Sequence, residues 1–343
     1  MIEIGIFAAK ALIILLTIVL TLGGLIMIIA LAAAKAGHKN ELEVEPLHTK
    51  FKDMGHFLRS FTITKDELKA EAKAEKKKQK AEKKEAKNHK HDKRVYVLDF
   101  NGDIKASQVE NLREEITAVL SVATPNDEVV IKVESPGGVV HGYGLAASQL
   151  MRIRERQIPL TVCVDKVAAS GGYLMSCVAN QIIAAPFAII GSIGVVAQVP
   201  NFHKILKKND VDFKEYTAGE FKRTVSLLGE ITEKGEAKFV EQLESTHSLF
   251  KKFVSQNRPT LDVTKVATGE YWYGEEAKTL GLIDKIQTSD DYLLQAFPKD
   301  TPIFEITFET KVSLADKVSD FLGHAAEKSV SKILTTLQSQ NLL

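Results

Sequence analysis

The sequence predicts an α/β body behind an uncharged N-terminal segment and a charged linker. Three observations carry this. Strand-like and helix-like stretches alternate from Val95 onward, residues 11–34 hold no charge, and residues 65–94 are mostly Ala, Glu and Lys. Alternating strands and helices imply parallel βαβ units. A chain of 343 residues that is 45% apolar can build one large core with appendages.

The first element, residues 1–36, reads as a membrane anchor. Its run ALIILLTIVLTLGGLIMIIALAAA (11–34) is bracketed by Lys10 and Lys35. At ~1.5 Å per residue such a run gives roughly 36 Å of helix, enough for a ~30 Å hydrocarbon core with some tilt. A cleaved signal peptide fits less well, because its apolar region is usually only ~7–15 residues and its positive start is nearly absent here. Lipid bilayer is therefore an expected partner. Residues 37–94 read as a linker. Between Lys65 and Arg94 there are 13 Lys/Arg against 7 Asp/Glu, so the chain's net +1 leaves the rest at about −5. This stretch lacks an apolar stripe and reads as a fluctuating helical spacer. Its interspersed acids and missing aromatics argue against nucleic acid as a partner, and anionic lipid head groups suit it better.

The body is assigned to 95–300. VYVLDF (95–100), DEVVIKVE (127–134), PLTVCVD (159–165) and QIIAAP (181–186) read as strands. Helical spacing marks 107–123 and 142–157, and a helix can start at Ser170. The apolar run 182–199 could pass as a second span, but Pro186 and its glycines favour buried parallel strands. A short helix is expected over 201–209, a strand over 211–219 and a long helix over 232–257. Residues 301–343 should add a strand and an amphipathic helix (312–337) that packs on the body or on another subunit.

No HExxH, CxxC or regular His/Asp/Glu cluster suggests a metal, and neither Walker A nor GxGxxG suggests a phosphate cofactor, so none is expected. Cys163 and Cys177 read as buried free thiols. The elbow GxSxG is absent as well. Two stretches stand out. In SPGG (135–138), Gly137 and Gly138 can aim N–H groups outward at a developing oxyanion. In SGGY (170–173), Ser170 is either a helix cap or a nucleophile at a positive helix end.

Together these stretches resemble a family. SPGG (135–138), DKVAASGGYLMS (165–176), GSIGV (191–195), GEFKRTVS (219–226) and YWYGEEAKTLGLID (271–284) follow the order found in the signal peptide peptidase A family of membrane-bound serine peptidases. One anchor, a charged linker and one catalytic domain are most similar to its SohB branch. The resemblance implies a ClpP/crotonase-like spiral of ββα units. It implies Ser170 as nucleophile, Lys222 as general base, Ser192 as the hydroxyl that orients the lysine, and Gly137 as an oxyanion glycine with Gly138 and Gly171 as neighbours. It also implies peptide or protein substrates, a homo-oligomer in which adjacent subunits can share the dyad, and the periplasmic face of a bacterial inner membrane. Charge counting across residues 11–34 points to the opposite face.

A free lysine has a pKa of ~10.4, so the dyad needs a dry wall that disfavours the ammonium. Ile189, Ile190, Ile193, Val195 and Val196 could supply it. The rivals are a Ser-His-Asp triad using His141, His203 or His247, a crotonase-like acyl-CoA enzyme, and an inactive membrane scaffold.

Overall fold

The protein is described here from a computed structural model, which describes residues 40–64, 66–67, 73, 93–298 and 301–310. The anchor run 11–34 and the amphipathic stretch 312–337 lie outside them. Among the described residues, no helix is long and apolar enough to cross a membrane. The chain divides into two compact units. Glu43–Thr307 holds the core and every candidate site residue, while Met1–Leu42 with Phe308–Leu343 contributes only strand ends to the described residues.

The elements run in order β1 (Asn40–Pro46), α1 (Leu47–Thr62), β2 (Val95–Asn101), α2 (Val109–Val122), β3 (Glu128–Glu134), α3 (Val140–Glu155), β4 (Leu160–Val164) and β5 (Val167–Ala169). They continue with α4 (Gly171–Ser176), β6 (Gln181–Ala184), β7 (Ile189–Gly191), α5 (His203–Lys208), α6 (Glu233–Asn257), α7 (Val263–Val266), β8 (Tyr271–Tyr273), α8 (Gly274–Thr279), β9 (Lys285–Ile286), α9 (Ser289–Gln295) and β10 (Ile303–Thr310).

Seven strands form one sheet in the order β1-β10-β2-β3-β4-β6-β9, and β5-β7-β8 form a second. Every pairing from β10 through β9 in the large sheet is parallel. In the small sheet β5 and β7 are parallel while β7 and β8 are antiparallel. Successive strands alternate between the sheets: β4 then β5, β6 then β7. This parallel-rich α/β arrangement fits a ClpP-like fold.

The central strands are apolar at nearly every position because both faces of the large sheet are covered. Leu98, Ile131, Val162 and Ile182 face one cluster with α2 and α3. Val95, Val97, Val130, Cys163 and Ile183 face the other, with Leu47 and the α9 residues Tyr292 and Leu293. Both cysteines are buried and free.

Two differences from expectation concern boundaries. Residues 40–62, read as the start of the linker, form β1 and α1, and Leu47 is buried in the core. Residues 211–219 form no strand. Their alternating side chains are all exposed, and among the described residues no strand pairs with them, so the period-2 pattern has nothing there to bury against.

Candidate active site

Strand β5 runs straight into α4 through Ser170. Its φ of 51° and ψ of −115° lie in a region that L-residues rarely adopt. Such a backbone costs of order ~1–3 kcal/mol and is held only when its surroundings fix it. Here Ser170 N–H donates to the Gly191 carbonyl at 2.7 Å, and Leu174 N–H donates to the Ser170 carbonyl at 2.9 Å. The Ser170 side chain makes no capping hydrogen bond. Ser170 thus occupies the cap position without acting as a cap. The chain makes a strained strand-to-helix elbow without the GxSxG pattern. Helix α4 has only six residues, so the dipole expected at its start is minor, and individual N–H groups matter instead.

SPGG lies against this elbow. Gly137 has φ +87°, and a Cβ there would fall 2.7 Å from Gly171 N and 2.7 Å from Ser170 Cβ. Only glycine permits this approach. Gly137 N–H donates to Ser135 Oγ at 3.1 Å and so points inward. Among the described residues, the N–H groups of Gly138 and Gly171 have no hydrogen-bond partner. The local chemistry therefore offers one half-buried hydroxyl and two unpartnered N–H donors.

A cavity of about 920 Å³ opens over these groups. Its lining includes Ser170, Gly137, Gly138, Gly171 and Ser192. Leu174, Val140 and the α6 residues Phe250 and Phe253 are among its apolar lining. Ser192 also has a positive φ of 51°, and its Oγ donates to the Gly269 carbonyl at 3.4 Å.

The structure does not bring Lys222 into this cavity. Lys222 is exposed and is not among the lining residues. Its N–H donates to the Gly219 carbonyl at 3.1 Å, and the flanking side chains are tied elsewhere. Glu220 pairs with Lys234, Phe221 lies under Lys234 and Lys238 of α6, and Arg223 pairs with Glu215 at 2.9 Å. The dry wall expected for the lysine therefore does not surround it within one chain. Of that wall, Val195 and Val196 line the Ser170 cavity instead.

Of the three histidines, His141 is exposed and His203 lies outside the cavity. His247 does line the cavity, with Nε2 buried and unpartnered, and among the described residues no carboxylate bonds to it. A third member for a triad is missing there. Among the described residues, no cluster of His, Cys, Asp and Glu could hold a metal ion.

Sequence reasoning missed Tyr143. It is fully buried, packs under Gly171 and bonds to Ser135. Burial pushes its phenol pKa up, so the hydroxyl keeps its proton. Nothing in its local pattern separates it from an ordinary core aromatic on α3.

The model for the N-terminal part of peptidase family S49 matches residues 1–150, and the model for peptidase family S49 matches residues 152–298. A Haemophilus influenzae protein described as "Probable protease SohB" is 50% identical over 351 residues, covering 99% of this chain and 97% of that one. A Buchnera aphidicola (subsp. Schizaphis graminum) protein of the same description is 43% identical over 304 residues, covering 88% of this chain and 89% of that one.

Proposed function

The chain belongs to peptidase family S49 and is a peptidase, and on that premise we propose that it cleaves peptide bonds with a Ser170–Lys222 dyad. Ser170 Oγ attacks the peptide carbonyl while its proton passes to a neutral Lys222 Nζ. The lysine then gives that proton to the leaving amine, and an acyl-enzyme ester remains on Ser170. Water loses a proton to the same lysine and attacks the ester; the C–O bond to Ser170 Oγ breaks, the lysine returns that proton to Oγ, and the carboxylic product leaves. The N–H groups of Gly138 and Gly171 hold the oxyanion, and Ser192 orients the lysine.

The observation that carries this reading is the strained Ser170 elbow beside two unpartnered N–H groups in an apolar cavity. The exposure of Lys222 favours a shared site, in which a neighbouring copy supplies the lysine. The arm that carries Lys222 bears exposed apolar side chains suited to such a contact. The cavity's apolar wall suits extended peptides with apolar side chains. Residues 11–34 anchor the chain in the inner membrane of a bacterium, with the body on the periplasmic side.

The test is fluorophosphonate labelling with casein hydrolysis, using the full chain in detergent. Ser170→Ala should abolish both. Lys222→Ala should abolish hydrolysis, while His247→Ala should keep it. Full hydrolysis by Lys222→Ala together with its loss in His247→Ala would overturn the dyad.

A further inference from the structure

A directed chain of hydrogen bonds runs from the cavity wall, which Gly137 and Tyr143 help to line, to the Asp103 carbonyl. Gly137 N–H donates to Ser135 Oγ at 3.1 Å. Ser135 Oγ and Tyr143 Oη are 2.5 Å apart. Tyr143 Oη donates to the Asp103 carbonyl at 2.7 Å. The direction follows by elimination. Tyr143 has one hydroxyl proton, and a carbonyl can only accept. The tyrosine proton therefore goes to Asp103, the Ser135 proton goes to the tyrosine oxygen, and Ser135 Oγ accepts from Gly137. Every polar hydrogen in the chain is used. Ser135 and Tyr143 are both 0% exposed, so neither hydroxyl can turn to water for a replacement partner.

The surrounding glycines show how tightly this chain is seated. A Cβ on Gly102 would fall 2.5 Å from Tyr143 Oη and 2.8 Å from Ser135 Oγ. A Cβ on Gly171 would fall 2.3 Å from Tyr143 Cγ. The Ser135 carbonyl accepts Ala169 N–H at 3.0 Å, one residue before the elbow. The same two side chains therefore touch both segments that carry the unpartnered N–H groups.

We infer that Ser135 and Tyr143 are positioning residues for the oxyanion site. Their hydroxyls hold Gly137 N–H inward and leave Gly138 N–H as the SPGG donor, while the Tyr143 ring fixes Gly171 N–H beside it. Neither residue touches the reacting atoms. The inference rests on Ser170 being the nucleophile.

The test compares Tyr143→Phe, Ser135→Ala and the double variant with wild type, as full chains in detergent. Active sites are counted by fluorophosphonate titration. The readouts are kcat and KM per active site and the Ki of a peptide aldehyde, whose adduct places an oxyanion in the hole. Tyr143→Phe should lower kcat at least about 10-fold, with KM changed less than about 2-fold and the aldehyde weakened in step with kcat. Ser135→Ala should do the same, and the double variant should add little. The double variant removes the Ser135–Tyr143 pair together, so neither hydroxyl is left facing an apolar partner, and it is read alongside whichever single variant folds. Unchanged kcat per site and unchanged aldehyde affinity in the variants that fold would overturn the inference, and so would a loss confined to the number of active sites. Should Ser170→Ala keep its turnover, the nucleophile reading falls instead, and that result is separate from these.

Discussion

At the scale of single residues, the site is built from backbone that only a few residue types tolerate. Gly171 is the sharpest case, because a Cβ there would fall 2.3 Å from Cγ of the buried Tyr143 ring. Gly171→Ala should therefore destabilise the fold by ~1–3 kcal/mol as overpacking does, read as a drop in Tm. Gly144, on α3 with nothing within 4 Å of its would-be Cβ, is the contrast. Gly144→Ala should stabilise by ~0.5–1 kcal/mol through helix propensity. The thiols give a second residue-scale expectation. Burial pushes Cys177 up to about 12 and Cys163 up as well. Neither should react with a disulfide reagent at pH 8 until the protein is unfolded in denaturant; rapid native reaction would contradict this packing. The special backbone at Ser170 and the SPGG turn were legible in the sequence because local motif and backbone need coincide there; that the Gly137 N–H, expected at the oxyanion, turns inward to Ser135 was not. Tyr143 was not, because its importance comes from what packs against it.

At the scale of elements, the start of β3 is tied down by one carboxylate. Asp127 is 2% exposed. It accepts from Arg94 Nε at 3.0 Å, Arg94 Nη2 at 2.8 Å and Arg94 N at 2.9 Å. It also accepts from Thr124 N at 2.8 Å and Thr124 Oγ1 at 3.0 Å. This knot joins the start of β2, the end of α2 and the start of β3. Burial alone would push the Asp127 carboxyl up, but the Arg94 and Thr124 hydrogen bonds outweigh it and hold the pKa below the usual range. The sign follows. A depressed pKa stabilises the fold fully above the unfolded value of ~3.9, and that contribution is lost as pH falls further. Asp127→Asn should cost about 3 kcal/mol at pH 7, and its stability should fall less steeply than wild type below about pH 4. Denaturant melts at pH 7 and pH 3 measure both. An equal acid slope in the two proteins would remove Asp127 from the account. The body strands were legible because burial on both faces writes them as apolar runs. Strand β1 and helix α1 were hidden, because α1 buries only Leu47 and the charge that marked a linker belongs to residues 65–94 beyond it.

At the scale of the whole molecule, the unusual feature is an arm with little buried surface of its own. From Val196 to Phe221 it carries exposed Val199, Phe202, Ile205, Val211 and Phe213, with Val196 82% and Tyr216 89% exposed. Exposed apolar side chains gathered on one segment mark a surface that another molecule covers. Lys222 sits at the end of that arm, outside the cavity that holds Ser170. The residues alone do not say which copy supplies each group; only the family resemblance, which implies a dyad that adjacent subunits can share, pointed to such a separation. If each site takes its serine from one copy and its lysine from the next, Ser170→Ala and Lys222→Ala chains are inactive alone but complementary together. In an equal random mixture, half the serine positions and half the lysine positions are intact, so about a quarter of the sites should hold both. Coexpressed, the two variants should regain about a quarter of wild-type hydrolysis per subunit. Charging the arm away from the cavity, with Val211→Asp and Tyr216→Asp together, should lower the sedimenting mass and abolish that recovery. A mixture that stays inactive while the wild type sediments as an oligomer would place both dyad members within one chain and require the arm to fold back over the cavity.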